Sequence, residues 1–261
     1  MSVPRDLVAE NPGLGDWCIL HGWRGSVAHG MFVPSTDPNS IDDKDTMAVC
    51  VPPVEYFLGL SDYGSRGTKE IKRDEWDIVV YEVRKMIRLL AQGNPNVLAL
   101  LWLPPSLYLK RTDAGRLLIE NRDVFVGRHV YQPFVGYAKG QLHRMTHFPD
   151  VKQAYMGEKR AALVEQYGYD TKNAAHLIRI LRMGIEFLRD GELIVDRGGY
   201  DAVELLEIKR GEWPLERVLE ESARLFRRAD DVYDRCALPQ RPDRERVNRL
   251  CVEVVQAAGI V

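Results

Sequence analysis

The chain changes its hydrophobic period once, near residue 112, and that change limits it to a mixed α/β part followed by an all-α part. Before the change, short runs rich in β-branched and aromatic residues alternate with glycine and proline: 17–20, 46–51 and 76–81. Runs of this kind are strands. Residues 82–92 then carry apolar side chains at 83, 86, 87, 89 and 90, a helical spacing halted by Gly93-Asn94-Pro95. A second short helix is expected over 95–102, with Pro95 in its first turn and Pro104-Pro105 as its stop. Beyond the change the period is helical. In 170–189, Ala174, Ile178, Leu181, Ile185 and Leu188 recur along one face. Further helices are expected over 131–147, 158–167, 201–209, 214–235 and 243–258. Two domains follow, 1–111 and 112–261.

Charge and apolar content exclude several classes of function. The 261 residues hold 36 basic against 38 acidic side chains, a net −2, so no bulk positive field is present to grip nucleic acid. The first 111 residues carry 12 basic and 14 acidic groups, and the remainder carries 24 of each. The longest apolar run, 97–103, is far short of the roughly 20 residues of a membrane helix. The N-terminal residues show no apolar signal core. Cys18, Cys50, Cys236 and Cys251 are too dispersed for a CxxC site or a disulfide framework. Reduced thiols and a cytoplasmic, membrane-free chain are the expectation.

The chemistry concentrates in Gly25-Ser26-Val27-Ala28-His29-Gly30 and in Asp42-Asp43-Lys44-Asp45, which leads into a strand. A strand that ends in Gly-Ser and turns into a helix offers free backbone N–H groups and a hydroxyl, a natural seat for phosphate oxygens. Asp43 and Asp45, at i and i+2 of an extended segment, leave one face of the sheet. Two carboxylates aimed at one point repel unless a cation lies between them, and hard oxygen donors suit Mg²⁺. Asp77, the one acid in an apolar strand, is the third ligand. Such a trio would clamp two metal ions around an in-line phosphoryl displacement. Asp42 is the alternative to Asp43.

These residues, with Tyr81 to Lys85, the 93–98 segment Gly-Asn-Pro-Asn-Val-Leu, and Tyr169-Asp170-Thr171-Lys172 followed by His176 and Arg179, resemble the polymerase-β-like nucleotidyltransferase superfamily. The resemblance covers most of 17–210. It is strongest to the branch of predicted nucleotidyltransferases associated with RNA ligases and found in phage genomes. It implies an α+β fold, a small mixed β-sheet core followed by a helical domain, and transfer of a nucleoside monophosphate from an NTP such as ATP with release of pyrophosphate. The acceptor stays open among an RNA or DNA end, an aminoglycoside-like antibiotic and a protein side chain. A toxin that acts on tRNA or protein is one alternative. A degenerate module that holds nucleotide or RNA without turnover is another.

On this reading Asp43, Asp45 and Asp77 hold two Mg²⁺ ions, Asp77 helps deprotonate the acceptor hydroxyl, and Gly25 and Ser26 bind the β- and γ-phosphates. Lys172, His176 and Arg179, at i, i+4 and i+7, form a basic stripe opposite the apolar face of their helix. No acid stands in the immediate (i, i+4) positions to balance Lys172 or His176, which leaves the stripe for phosphate. Lys159-Arg160 is a weaker candidate for the same role. His29 either touches substrate or packs beneath the turn. His143 and His147 have zinc-like spacing without an intervening Glu and are expected to be structural. Trp23, Trp76 and Trp102 are expected to anchor the core.

Overall fold

A computed structural model describes residues 2–34, 42–146 and 158–260. Along the chain the elements are α1 (Arg5–Glu10), β1 (Cys18–Trp23), α2 (Gly25–Ala28), β2 (Lys44–Cys50), α3 (Glu55–Leu58), β3 (Thr68–Arg73), β4 (Trp76–Glu82), α4 (Val83–Ala91), α5 (Pro95–Leu98), β5 (Tyr108–Arg111) and α6 (Asp113–Glu120). After these come α7 (Tyr131–Thr146), α8 (Glu158–Tyr167), α9 (Thr171–Asp190), α10 (Ala202–Lys209), α11 (Leu215–Asp234) and α12 (Arg244–Ala257). The α+β class holds. The chain divides into two compact units: 1–28 with 43–126 and 241–261, and 29–42 with 127–240. The cut expected at 111/112 falls inside the first unit. There α6 packs on β1 and β5, and α12 returns to pack on α6 and α4. The period of the sequence marks where helices begin; it does not mark which surface each helix covers.

The first unit is built on a mixed sheet of order β3-β4-β2-β1-β5 among the described residues. The β2/β4 pair is parallel, and β1/β2, β1/β5 and β3/β4 are antiparallel. Thr46 to Cys50 are all buried, as expected of a central strand covered on both faces. α4 begins where Glu82 caps it by accepting from the Arg84 N–H at 2.9 Å. Asn94 caps α5, with Pro95 in its first turn, and the chain then tightens into a 3-10 turn over Ala99–Trp102. Thr112 caps α6. Cys18 and Cys50 stand opposite one another across β1/β2 as free thiols. Burial pushes Cys18 up to about 11 and Cys50 up to about 12, so neither supplies thiolate at neutral pH.

The second unit is helical and centred on α9, which α7, α11 and α10 surround. Asp170 caps α9 through the Asn173 N–H at 3.0 Å, and Gly191 ends it at φ 73°. Enclosure from several sides explains why α9 departs from a helix with one wet face: Asn173, Arg179 and Glu186 are buried along with its apolar residues. Arg197, 0 % exposed, binds both oxygens of Glu186 (2.6 and 3.0 Å) and both of Asp201 (2.6 and 2.7 Å). Asp201 also accepts from Arg182. The helices expected over 158–167, 170–189, 201–209, 214–235 and 243–258 are all present within two residues of those bounds. β3, β5, α1, α3 and α6 lie where the sequence reading assigned no element. Among the described residues no helix is long and apolar enough to cross a membrane. Trp23, Trp76 and Trp102 are buried at 6–7 % exposure, as core anchors should be.

Candidate active site

β1 ends at Trp23, and the chain turns at once into α2 through Gly25, whose φ of 61° suits glycine. A second constraint acts there, because a Cβ on Gly25 would lie 2.3 Å from Asp45 Oδ2. The turn is tied to β2 by the Arg24 N–H, which donates to the Asp45 carbonyl at 3.0 Å. Ser26 follows in α2; its Oγ is buried with no hydrogen-bond partner among the described residues. A buried hydroxyl in that condition is costly unless a ligand supplies an acceptor or donor.

Asp45 and Asp77 are direct register partners across the parallel pair β2/β4. Parallel register sets their carboxylates side by side at the start of two neighbouring strands, each 24 % exposed. Arg24 bridges them: its Nη2 lies 3.0 Å from Asp77 Oδ1 and 3.5 Å from Asp45 Oδ1. Lys72, opposite Asp77 on β3, reaches Asp77 Oδ2 at 3.6 Å. Trp23 and Trp76, the residues preceding Arg24 and Asp77, stack with ring centroids 5.7 Å apart. Asp43 is exposed and lies one residue ahead of β2. Among the described residues no three His, Cys, Asp or Glu side chains gather as a metal-holding group. The structure therefore joins Asp45 to Asp77 and does not close a trio with Asp43. The donor set of the pair fits a divalent cation: two hard oxygens side by side, a cationic group already bridging them, and remaining ligand positions of the kind that water and phosphate fill for Mg²⁺.

The remaining sequence candidates belong to the second unit. Lys172 is not left unbalanced as its helical neighbours suggest, since its Nζ lies 3.7 Å from Asp42 Oδ1. That correction has a plain cause: the acid comes from 130 positions earlier in the chain, where no helical spacing rule can find it. The Asp42 carboxylate is 0 % exposed and is further held by Lys209 and by the Val33 N–H at 2.9 Å. Asp42 thus lies against two lysines in the second unit, its hydrogen bonds made through Oδ2. Burial lowers the Lys209 ammonium below its ordinary range, and Asp42 counteracts the shift.

His29 packs and does not face solvent. Its Nδ1 meets the Val195 carbonyl at 2.8 Å, and its Nε2 meets Arg179 Nη1 at 2.6 Å. Donation from Nδ1 to the carbonyl leaves Nε2 as the acceptor for the guanidinium. Burial, then the charge of Arg179, holds His29 well below the usual histidine range, so it is neutral. Burial likewise brings Arg179 down to about 9, which leaves it charged at neutral pH. Its guanidinium donates to the neutral His29 and to the Met183 sulfur at 3.3 Å. His176 packs against Tyr137, centroids 5.3 Å apart. The pair of His143 and His147 is not testable as a pair, because His147 lies outside the described residues, as do the side chains of Lys159 and Arg160.

Sequence reasoning passed over Arg24 and Lys209. Arg24 had one signal, its place between a core tryptophan and the Gly-Ser turn. Lys209 had only its position in the last turn of α10. A family model described as the RNA repair pathway DNA polymerase beta family (RlaP) matches residues 18–253. No individual curated protein matches the chain.

Proposed function

The chain belongs to this RNA repair family of polymerase-β-like proteins, which supports a nucleotidyltransferase-type function, and from that premise we propose that it moves a nucleoside monophosphate from an NTP to an acceptor hydroxyl, that of an RNA end. Pyrophosphate leaves. The observation that carries the reading is the register opposition of Asp45 and Asp77 with Gly25 pressed against the first of them. Asp45 and Asp77 would hold Mg²⁺, with Asp43 adding a further oxygen from the segment ahead of β2. Bound there, the metal would supply charge to offset that building on the phosphates and would lower the pKa of a coordinated hydroxyl.

The protein's own groups have separable tasks. The backbone N–H groups of the Gly25-Ser26 turn and the unpartnered Ser26 hydroxyl bind phosphate oxygens, which favours negative charge at that spot without a side-chain cation. Asp77 orients the acceptor hydroxyl and takes up its proton as the new phosphoester bond forms. In the second unit Lys172, His176 and Arg179 are assigned to phosphate groups of the nucleotide or acceptor. The support is that Arg179 is a buried cation hydrogen-bonded to the neutral His29 and the Met183 sulfur.

The test is incubation of the purified protein with each α-labelled NTP, Mg²⁺ and total RNA, followed by gel separation. Label in RNA that disappears with Asp45→Asn and Asp77→Asn supports the proposal. Nucleotide bound without transfer would return the chain to the binding-module reading, and label in protein would move the acceptor to a side chain.

A further inference from the structure

Among the arginines that meet more than one carboxylate, Arg197 and Arg24 do so differently. Arg197 spends Nε, Nη1 and Nη2 on Glu186 and Asp201, is fully buried, and leaves no nitrogen idle. Arg24 touches its two acids through Nη2 alone, while its Nε is buried with no partner. Its side chain is 29 % exposed. A guanidinium has five N–H donors in a fixed fork, and bidentate seating is its strong mode. Arg24 forgoes that mode. It is held by charge between Asp45 and Asp77 and not by a built cradle, and partial exposure gives it room to leave.

We propose that Arg24 is the exchangeable counter-ion of the acid pair: it keeps Asp45 and Asp77 side by side before a metal is bound, and a divalent cation must displace it to load. The inference rests on the proposed reading that these two aspartates hold metal. An arginine in this place vacates by rotating its side chain away from the two acids. Displacement therefore sets the cation concentration at which the site loads. It also favours loading together with an anionic nucleotide, whose phosphates compensate a displaced guanidinium.

The competition has a readout that needs no catalysis. Mn²⁺ binding to the intact protein without nucleotide is followed by the loss of the free-ion paramagnetic resonance signal, for wild type, Arg24→Gln, Arg24→Lys and Asp45→Asn. Losing one partly exposed bridge on each acid is worth roughly a tenfold gain in Mn²⁺ affinity for Arg24→Gln. The same variant should melt lower than wild type without metal, through repulsion of the acids, and regain more of its melting temperature when Mn²⁺ is added. Arg24→Lys, which keeps the charge, should stay within about threefold of wild type, and it carries the test should Arg24→Gln fail to fold. Equal or weaker Mn²⁺ affinity in Arg24→Gln, with binding that Asp45→Asn abolishes, overturns the role of Arg24 and spares the metal reading. Should Arg24→Gln not fold, a tenfold tighter Arg24→Lys overturns it equally. Binding indifferent to Asp45→Asn overturns both.

Discussion

Replacing Arg197 with leucine should cost the second unit more than any surface change can. The side chain is 0 % exposed, and both carboxylate oxygens of Glu186, 8 % exposed, accept from it. Leucine strands that carboxylate. Asp201 fares better, because Arg182 still reaches it at 3.0 Å. Breaking a buried pair by removing one partner costs about 3–5 kcal/mol, and the surviving Arg182 contact places this case at the lower end, about 3 kcal/mol. For a chain of this size that corresponds to a fall in melting temperature of roughly 6–12 °C. The cost belongs to the orphaned charge and not to lost packing, so Arg197→Leu with Glu186→Leu should recover about half of it. Scanning calorimetry with far-ultraviolet dichroism at pH 7 measures both variants. A single-variant loss under about 2 °C, or a double variant as unstable as the single, would refute the assignment of Arg197 as the fully satisfied ion at the centre of this unit.

Gly25→Ala should weaken transfer at least tenfold, since its methyl would meet Asp45 Oδ2 at 2.3 Å and a left-handed alanine adds about 1–2 kcal/mol of strain; wild-type turnover in that variant would show that Asp45 can move freely. Burial, then Lys110, lowers His21 to about 4 from 6.5. The unfolded chain thus binds the extra proton, and His21 contributes stability that is full above pH 6.5 and is lost as pH falls towards 4. Urea midpoints taken from pH 7 to 4 should fall along that window, less steeply in His21→Gln, and an unchanged slope would discount the buried imidazole. Lys209→Met should destabilise by about 2 kcal/mol, because it leaves the fully buried Asp42 with Lys172 and one N–H; a change within 0.5 kcal/mol, the range of ordinary surface substitutions, would argue against that pair.

The sequence by itself determined the local structure and the address of the chemistry. The helix starts near 95 and 170 were readable from Pro95 and from the apolar period, and Asn94 and Asp170 cap them by accepting from first-turn N–H groups; α6, capped by Thr112, was missed. The Gly-Ser turn was readable because only glycine tolerates both the left-handed backbone and the neighbouring carboxylate at residue 25. β3 was missed because Thr68–Arg73, with the pattern Thr-Lys-Glu-Ile-Lys-Arg, is a largely polar edge strand. Charged residues suit an exposed sheet edge but hide the apolar alternation on which strand reading depends.

Tertiary structure alone decided the pairings. Nothing local says that Asp45 stands opposite Asp77, since parallel register is fixed by the packing of the helices that cover β2 and β4. Nothing local says that Arg24 lies between them, that Lys172 and Lys209 share Asp42, or that Arg179 rests on a neutral histidine 150 positions away. Spacing rules on a helix or strand reach four residues, whereas charge partners are chosen by whatever surface the fold brings within a few ångströms. The identities of the ions were therefore written in the chain, and their partners were set only when the chain folded.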